Sequence, residues 1–323
     1  MKVIVIGLGS MGKRRIRLIR QYNPKMEIVG VDAREDRRLE AQTLYGIETA
    51  QTFDGAGRGA VAAFVCTSPL SHHIIITECL KEGLHVFTEL NLVADGYEKN
   101  MKLAKEKGLK LFLSSTLLYR EEIKYIERRV AESENKVSYT YHVGQYLQDW
   151  HPWENYRDFF VGDRRTNGCR EFLAIELPWL QVVFGNIENI EVRKSRISSL
   201  NIEYADNYIL LMEHVNGIKG MFAVDVITRK AVRNLEIFGE NLYISWDGSA
   251  TGLYEYDIAA REDRRIELYD RIDHLAGYNK SIVENAYLDE IKTFFEFIEE
   301  KNTPVYGFKE DKKTIKWLDK IEE

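Results

Sequence analysis

The sequence predicts an α/β protein, with a doubly wound parallel sheet followed by an α+β region on an open, largely antiparallel sheet. Three observations carry this. Strand and helix patterns alternate from the start of the chain to about Leu113, and a glycine-rich turn at Gly7, Gly9 and Gly12 lies between the first strand and the first helix. From about Ser138 the apolar residues change to the alternating spacing of strands.

The first elements follow in order. Lys2–Ile6 is a short apolar strand, and Ser10–Tyr22 is a helix with Met11, Ile16, Leu18 and Ile19 on its apolar side. Glu27–Asp32 is the second strand and Asp36–Tyr45 the second helix. Val61–Cys66 is nearly all apolar, as a strand covered on both faces requires. Pro69–Lys81 reads as a helix stopped by Gly83, Leu84–Phe87 as a strand, Asp95–Lys107 as a helix ended by Gly108, and Leu109–Leu113 as a strand. Such repetition implies parallel strands joined by crossover helices.

In the second half, Glu203–Met212, Gly217–Ile227, Arg233–Phe238 and Leu242–Trp246 read as strands, with a short hairpin at Gly239-Glu240-Asn241. Ala286–Glu300 and Lys309–Glu322 carry apolar stripes at helical spacing and read as closing helices. A chain of 323 residues has room for two domains, expected at 1–117 and 118–323.

Composition narrows the function classes. Hydrophobic residues at 45% and charged residues at 30% suit a folded globular chain rather than a disordered one. A net charge of −6 speaks against nucleic acid as a partner. Lys13, Arg14, Arg15, Arg17 and Arg20 cluster on the first helix and read as a solvated face. Cys66, Cys79 and Cys169 are too scattered for a disulfide framework or a zinc site, and no other metal-ligand spacing occurs. The opening residues read as a strand and turn rather than a secretory leader, and no apolar segment is long enough to cross a bilayer. The expectation is a reducing cytoplasm, with no membrane or metal partner.

The glycine turn gains weight from its context. In GxGxxG, Gly7 permits a tight turn, Gly9 lets backbone amides approach a pyrophosphate, and Gly12 lets helix and strand pack closely. The amides of Ser10 and Met11 open a helix whose N-terminus attracts phosphate. Asp32 ends the second strand, where a carboxylate accepts from the ribose hydroxyls and repels a 2′-phosphate. These residues point to a Rossmann domain holding NAD. Arg34, two residues on, leaves NADP open, because an arginine there can hold a 2′-phosphate.

Four segments in order resemble the glucose–fructose oxidoreductase and inositol dehydrogenase (Gfo/Idh/MocA) family along essentially the whole chain. They are GLGSMGKRR (Gly7–Arg15), CTSPLSHH with Thr67 and His72, ECLKEGLHVFTE (Glu78–Glu89) and NAYLDEIKTFFEFI (Asn285–Ile298). The resemblance implies nicotinamide near Thr67, His72 and Glu89. It also implies a second domain whose sheet receives substrate and assembles homo-oligomers. Two departures stand out. The family's Glu-Lys-Pro reads Glu89-Leu90-Asn91 here, which removes the lysine and predicts a trans loop. The helix that carries the family's His…Asp aligns with Ile175 and Pro178, which suggests a helix beginning near Pro178.

Replacements are sought in two stretches. His142–Arg157 concentrates histidines, acids, amides, tryptophans and tyrosines: His151 suits an acid or base, while Trp150, Trp153 and Tyr156 suit a sugar ring. His151 is open to a second reading, as a local structural hydrogen bond. Asp163–Glu171 offers Arg165 and Arg170 for an anionic substrate and Glu171 as a base, with Glu176 a turn further on. Asn91 is a further candidate for substrate contact. Arg164, Arg165 and Arg170 are equally readable as surface charges. The leading expectation is an NAD(P)-dependent oxidoreductase acting on a sugar, nucleotide-sugar or polyol. The alternative is a catalytically silent dinucleotide-binding sensor or assembly subunit, favoured by Leu90, Ile175 and Pro178.

Overall fold

The computed structural model describes residues 1–152, 154–274 and 282–323. They form two compact units, Met1–Ser115 with Tyr287–Ile315, and Thr116–Ala286 with Lys316–Glu323. The expected break near 117 lies close to the first crossing. A simple division into 1–117 and 118–323 differs from the structure because residues 287–315 return to the first unit.

The first unit runs β1 (Lys2–Ile6), α1 (Ser10–Tyr22), β2 (Glu27–Val31), α2 (Glu35–Tyr45), β3 (Glu48–Ala50), β4 (Ala62–Val65), α3 (Pro69–Lys81), β5 (His85–Thr88), α4 (Tyr97–Lys107) and β6 (Leu111–Leu113). All six strands are parallel, in the order β3-β2-β1-β4-β5-β6. Chain order reverses between β1 and β4, so the crevice beyond their carboxyl ends is where such sheets receive ligands. The sheet is covered on both sides, which is why β4 is entirely buried and apolar. β3 was not anticipated, since its three residues carry too little pattern.

The second unit runs α5 (Glu121–Glu132), β7 (Ser138–Gly144), α6 (Gly168–Phe184), β8 (Ile187–Ser195), β9 (Asn207–His214), β10 (Lys219–Asp225), β11 (Val232–Phe238), β12 (Tyr243–Trp246), β13 (Leu253–Asp257) and β14 (Glu262–Arg265). Its eight strands follow the order β14-β13-β12-β11-β7-β10-β9-β8, antiparallel except for β7 against β10. The hairpin at Gly239–Asn241 joins β11 to β12, as the sequence indicates.

Alternation sorts this sheet into two faces. Tyr139, Tyr141 and Val143 of β7 are buried, Tyr139 stacking on Phe184 at 4.2 Å and Tyr141 meeting Trp179 edge-on at 5.4 Å. On the other face Ile209, Leu211, Met221 and Phe238 remain exposed. Met221 is paired with Leu211, and Ala223 with Ile209.

The helix of Ile175 and Pro178 corrects one expectation. It does not begin near Pro178 but ten residues earlier, at Gly168, where the Asn167 side chain accepts from the Arg170 amide at 2.8 Å. Pro178 therefore lies inside α6, where a proline withholds an N–H from the carbonyl four residues back, at Ala174. Burial of Leu173, Leu177, Trp179, Leu180 and Phe184 keeps the helix continuous across it.

The closing helices are α7 (Glu284–Ile298) and α8 (Phe308–Glu322). Within the first unit, Phe294 of α7 packs edge-on against Phe64, Phe87 and Phe112 at 5.4, 5.5 and 5.7 Å. Those three rings are themselves stacked across β4, β5 and β6 at 5.0 and 4.9 Å. This aromatic core needs α7 and explains why residues from 287 belong to the first unit.

Candidate cofactor and proton-transfer sites

The glycine turn has the geometry its spacing requires. Gly7 is left-handed (φ 91°), and a Cβ there would stand 2.7 Å from the Cys66 carbonyl group. At Gly12 a Cβ would stand 1.9 Å from the Gly7 carbonyl oxygen, so only glycine lets α1 approach β1. Gly9 differs: nothing lies nearer its Cβ position than the Arg37 guanidinium at 3.5 Å. Gly9 therefore keeps open a cradle beside backbone amides. α1 starts there with Gly9 as its cap, no side chain capping it and no acidic residue in its first turn. Exposed Ser10 and half-buried Met11 follow the cap and open the helix. An anion at this N-terminus meets unsatisfied N–H groups and the positive end of the helix dipole.

Asp32 is fixed against this loop. Its Oδ2 accepts from the Leu8 amide at 2.8 Å and its Oδ1 from the Arg34 amide at 2.9 Å. The Arg34 side chain turns outward to a two-pronged pair with Asp36, whose carboxyl this bonding pulls down to about 2. Arg37, which the sequence reading passed over, stands closer, with Nη1 at 3.7 Å from Asp32 Oδ2. Residue types and open space together fit the adenosine and pyrophosphate of a dinucleotide.

At the carboxyl ends of β4 and β5 the expected contacts turn inward. His72 is 2% exposed, and burial pulls its imidazole below the usual range. The neutral ring donates from Nε2 to the Thr67 carbonyl at 2.9 Å and faces the Asn91 amide from Nδ1 at 2.7 Å. With Oδ1 towards the ring, Asn91 Nδ2 is a buried donor without a partner. The reverse amide orientation satisfies both groups. Asn91 is thereby committed to holding His72 and the turn at Thr67 rather than reaching a substrate. The structure contains no cis peptide among the described residues, so the Leu90–Asn91 link is trans, as its residue types require.

Glu89 also corrects its assignment. Both of its oxygens accept from Arg15, at 2.6 and 3.0 Å, and the Cys66 thiol approaches at 3.7 Å. Arg15 also donates to Glu290 at 2.9 Å and to the Ser114 hydroxyl at 3.1 Å. Burial pushes the Cys66 thiol and the Glu290 carboxyl up. The arginine run on α1 is accordingly not a solvated face throughout: Arg14 is 5% and Arg15 0% exposed. The acid that completes the Arg15 pair lies 275 positions away, beyond the reach of local charge pattern.

In the second unit α6 brings some candidates together and occupies others. Glu176 is fully buried and accepts from Tyr141 (2.7 Å), Trp179 (2.6 Å) and Arg233 (2.7 and 3.0 Å). With its lone pairs so engaged, it ties α6 to the sheet. Arg170 is 4% exposed and pairs with Asp319 at 2.5 Å and with Glu322, clamping α6 to the last turns of α8. It is a buried strut, neither surface charge nor substrate anchor.

Glu171 stands apart. Burial alone pushes its carboxyl up to about 7, and its enclosed Oε2 has no hydrogen-bond partner among the described residues. It lies one helical turn before Ile175, on the face that continues to Pro178. Trp150 packs edge-on against the adjacent Phe172 at 4.8 Å, which draws the tryptophan-bearing loop to the start of α6. His151 lies further out on that loop, half-exposed, stacked on Phe159 at 4.6 Å and paired with Glu154 at 2.6 Å. The Tyr156 hydroxyl accepts from the Asn201 amide at 3.1 Å, and Arg165 is exposed. Trp153 lies outside the described residues. One pairing was not foreseen: His142 Nε2 meets Asp225 at 2.7 Å, with Thr228 donating to the same carboxylate at 2.9 Å. No group of side chains among the described residues could hold a metal ion, and no helix among them is long and apolar enough to cross a membrane.

Several known proteins resemble this chain. Human biliverdin reductase A is 27% identical over 131 residues, which are 40% of this chain and 44% of that protein, so the match spans less than half of the relative. A solved Desulfitobacterium hafniense protein described as an NADPH-dependent oxidoreductase superposes with a TM-score of 0.82 at 13% identity, covering 98% of this chain and 93% of that one. The WlbA dehydrogenase of Bordetella pertussis, solved with NADH and UDP-GlcNAcA, gives a TM-score of 0.77 at 15% identity, covering 99% and 95%. At such identities the structural likeness is one of fold. Residues 1–115 match the model of the oxidoreductase family described as an NAD-binding Rossmann fold. Residues 1–115 thus resemble the NAD-binding Rossmann fold of the Gfo/Idh/MocA oxidoreductase family.

Proposed function

We propose that the protein is an NAD(P)-dependent oxidoreductase acting on a secondary hydroxyl of a sugar, nucleotide-sugar or polyol, with Glu171 as the proton-transfer group. Glu171 carries this reading. It is a carboxyl held near neutral pH by burial, with one oxygen unpartnered among the described residues, on the helix face where the family resemblance places the reactive pair. A general acid or base works best when it titrates near the operating pH. The bound dinucleotide supplies the hydride acceptor or donor, chemistry no side chain provides. Glu171 takes the proton of the reacting hydroxyl in the oxidative direction and returns it in the reductive one. Gly7, Gly9, Gly12 and Asp32 bind and orient the cofactor. The nucleotide-sugar end of the range is supported by WlbA, a fold relative solved with UDP-GlcNAcA.

A second copy of the chain is the partner we assign to the uncovered sheet face. There Ile209, Leu211 and Met221 are flanked by Glu191 and Arg193 of β8, charges of both signs that a two-fold partner answers with its own.

The test offers a panel of UDP-sugars, free sugars and polyols with NAD+ and follows NADH formation. Turnover with one class is expected, with Glu171→Gln lowering kcat by roughly 10²–10⁴-fold while NADH affinity is unchanged. NADH binding without turnover on any member would favour the catalytically silent reading. Full turnover in Glu171→Gln would move the acid–base role elsewhere.

A further inference from the structure

Three arginines follow β2, and the structure separates their tasks. Arg34 is engaged outward with Asp36, at 3.1 and 2.5 Å. Arg38 donates to the carbonyls of Asp32 and Ala33 at 2.8 and 2.9 Å, closing the end of the strand. Arg37 faces the glycine turn beside Asp32. Its Nη1 lies 3.7 Å from Asp32 Oδ2, an ion contact longer than a hydrogen bond. The same atom is 3.5 Å from the Cβ position of Gly9, and the side chain is 36% exposed.

We propose that Arg37 is the residue that admits a 2′-phosphate, so that this site accepts NADPH as well as NADH. The inference rests on the dinucleotide reading above and deepens it. A carboxylate at the end of β2 ordinarily accepts from the 2′-hydroxyl and repels a phosphate at that position. Here the carboxylate is held by two backbone amides, Leu8 of the glycine turn and Arg34 of its own loop, and a guanidinium stands within ion-pair reach of it. That cation offsets the repulsion. It also has a planar set of N–H donors suited to phosphate oxygens and, among the described residues, no short hydrogen bond to give up. Arg34, the arginine the sequence singles out for this role, would first have to leave Asp36. Charge pattern alone could not choose between the two, since both stand near the start of one helix.

The experiment is a pair of fluorescence titrations, NADH and NADPH, on nucleotide-free wild-type protein, Arg37→Ala and Arg37→Lys. Wild type is expected to bind both. Arg37→Ala should weaken NADPH about 10-fold or more, the usual scale of a charge-assisted contact, and leave NADH within about 2-fold. Arg37→Lys should restore part of the loss, because it returns the charge without the fork. Raising salt should weaken NADPH more than NADH in wild type and equally in Arg37→Ala. Equal effects of Arg37→Ala on both cofactors would overturn the assignment, as would NADH binding with no NADPH binding in wild type. Failure of folded wild-type protein to bind either would overturn the dinucleotide reading itself.

Discussion

Arg15 holds Glu89 with both prongs of its guanidinium, Nε to Oε1 at 2.6 Å and Nη2 to Oε2 at 3.0 Å, in a core where Arg15 meets no water. Glu290 shares the same cation, and the Ser114 hydroxyl and Ser115 amide satisfy its other oxygen. Arg15→Met should therefore strand two buried carboxylates and cost about 3–5 kcal/mol, read as a lowered urea midpoint. Adding Glu89→Gln should recover part of the loss. A loss below about 0.5 kcal/mol, the scale of an ordinary surface change, would mean that the network bears little of the fold.

Glu171 predicts a pH dependence with a definite sign. Its carboxyl titrates near 7 in the folded protein against 4.5 for the free group. Between those values the native state binds the extra proton, so stability contributed below pH 4.5 is lost as pH rises through 7. The whole effect is about 3 kcal/mol. Glu171→Gln should remove that fall, and its gain over wild type should be larger at pH 8 than at pH 4. A gain equal at both pH values would refute an elevated Glu171.

Arg170 separates a strut from a substrate anchor. Arg170→Ala leaves Glu322 without its cation and should cost about 2–4 kcal/mol of unfolding free energy. The KM of whatever substrate the panel identifies should not change. A raised KM with normal stability would reverse that conclusion.

The uncovered sheet face predicts assembly. Leu211→Glu with Met221→Glu should convert a light-scattering mass of two or more chains to that of one, with the Tm of dilute protein little changed. A wild-type mass equal to one chain would remove the proposed partner.

Legibility in the sequence followed distance along the chain. β1, the glycine turn and Asp32 lie within about thirty residues, and each has a local physical reason, so motif and fold could be read together. In the second sheet β9 to β12 were legible from their apolar residues and hairpin turn, whereas β7 was not read as a strand despite its alternation. β8 was missed because polar residues dominate its sequence, IENIEVRKS. Side-chain roles failed where the partner is remote in sequence. Glu89, Arg170, Glu176 and Asn91 look like site residues until Arg15, Glu322, Arg233 and His72 occupy them. Arg37 and Arg34 are equivalent in composition, and only their side-chain directions distinguish them.

The return of residues 287–315 to the first unit has a consequence for biosynthesis. When the ribosome has made β1 to β6, Phe294 and Glu290 do not yet exist, so the aromatic core lacks its lid and Arg15 lacks its second carboxylate. About 170 more residues must follow, on the order of ten seconds of synthesis or longer. Through that interval Phe64, Phe87 and Phe112 lack the ring of Phe294, and exposed apolar surface of that kind is what makes nascent chains prone to aggregation. Closure of this core is thereby made conditional on translation having passed α7.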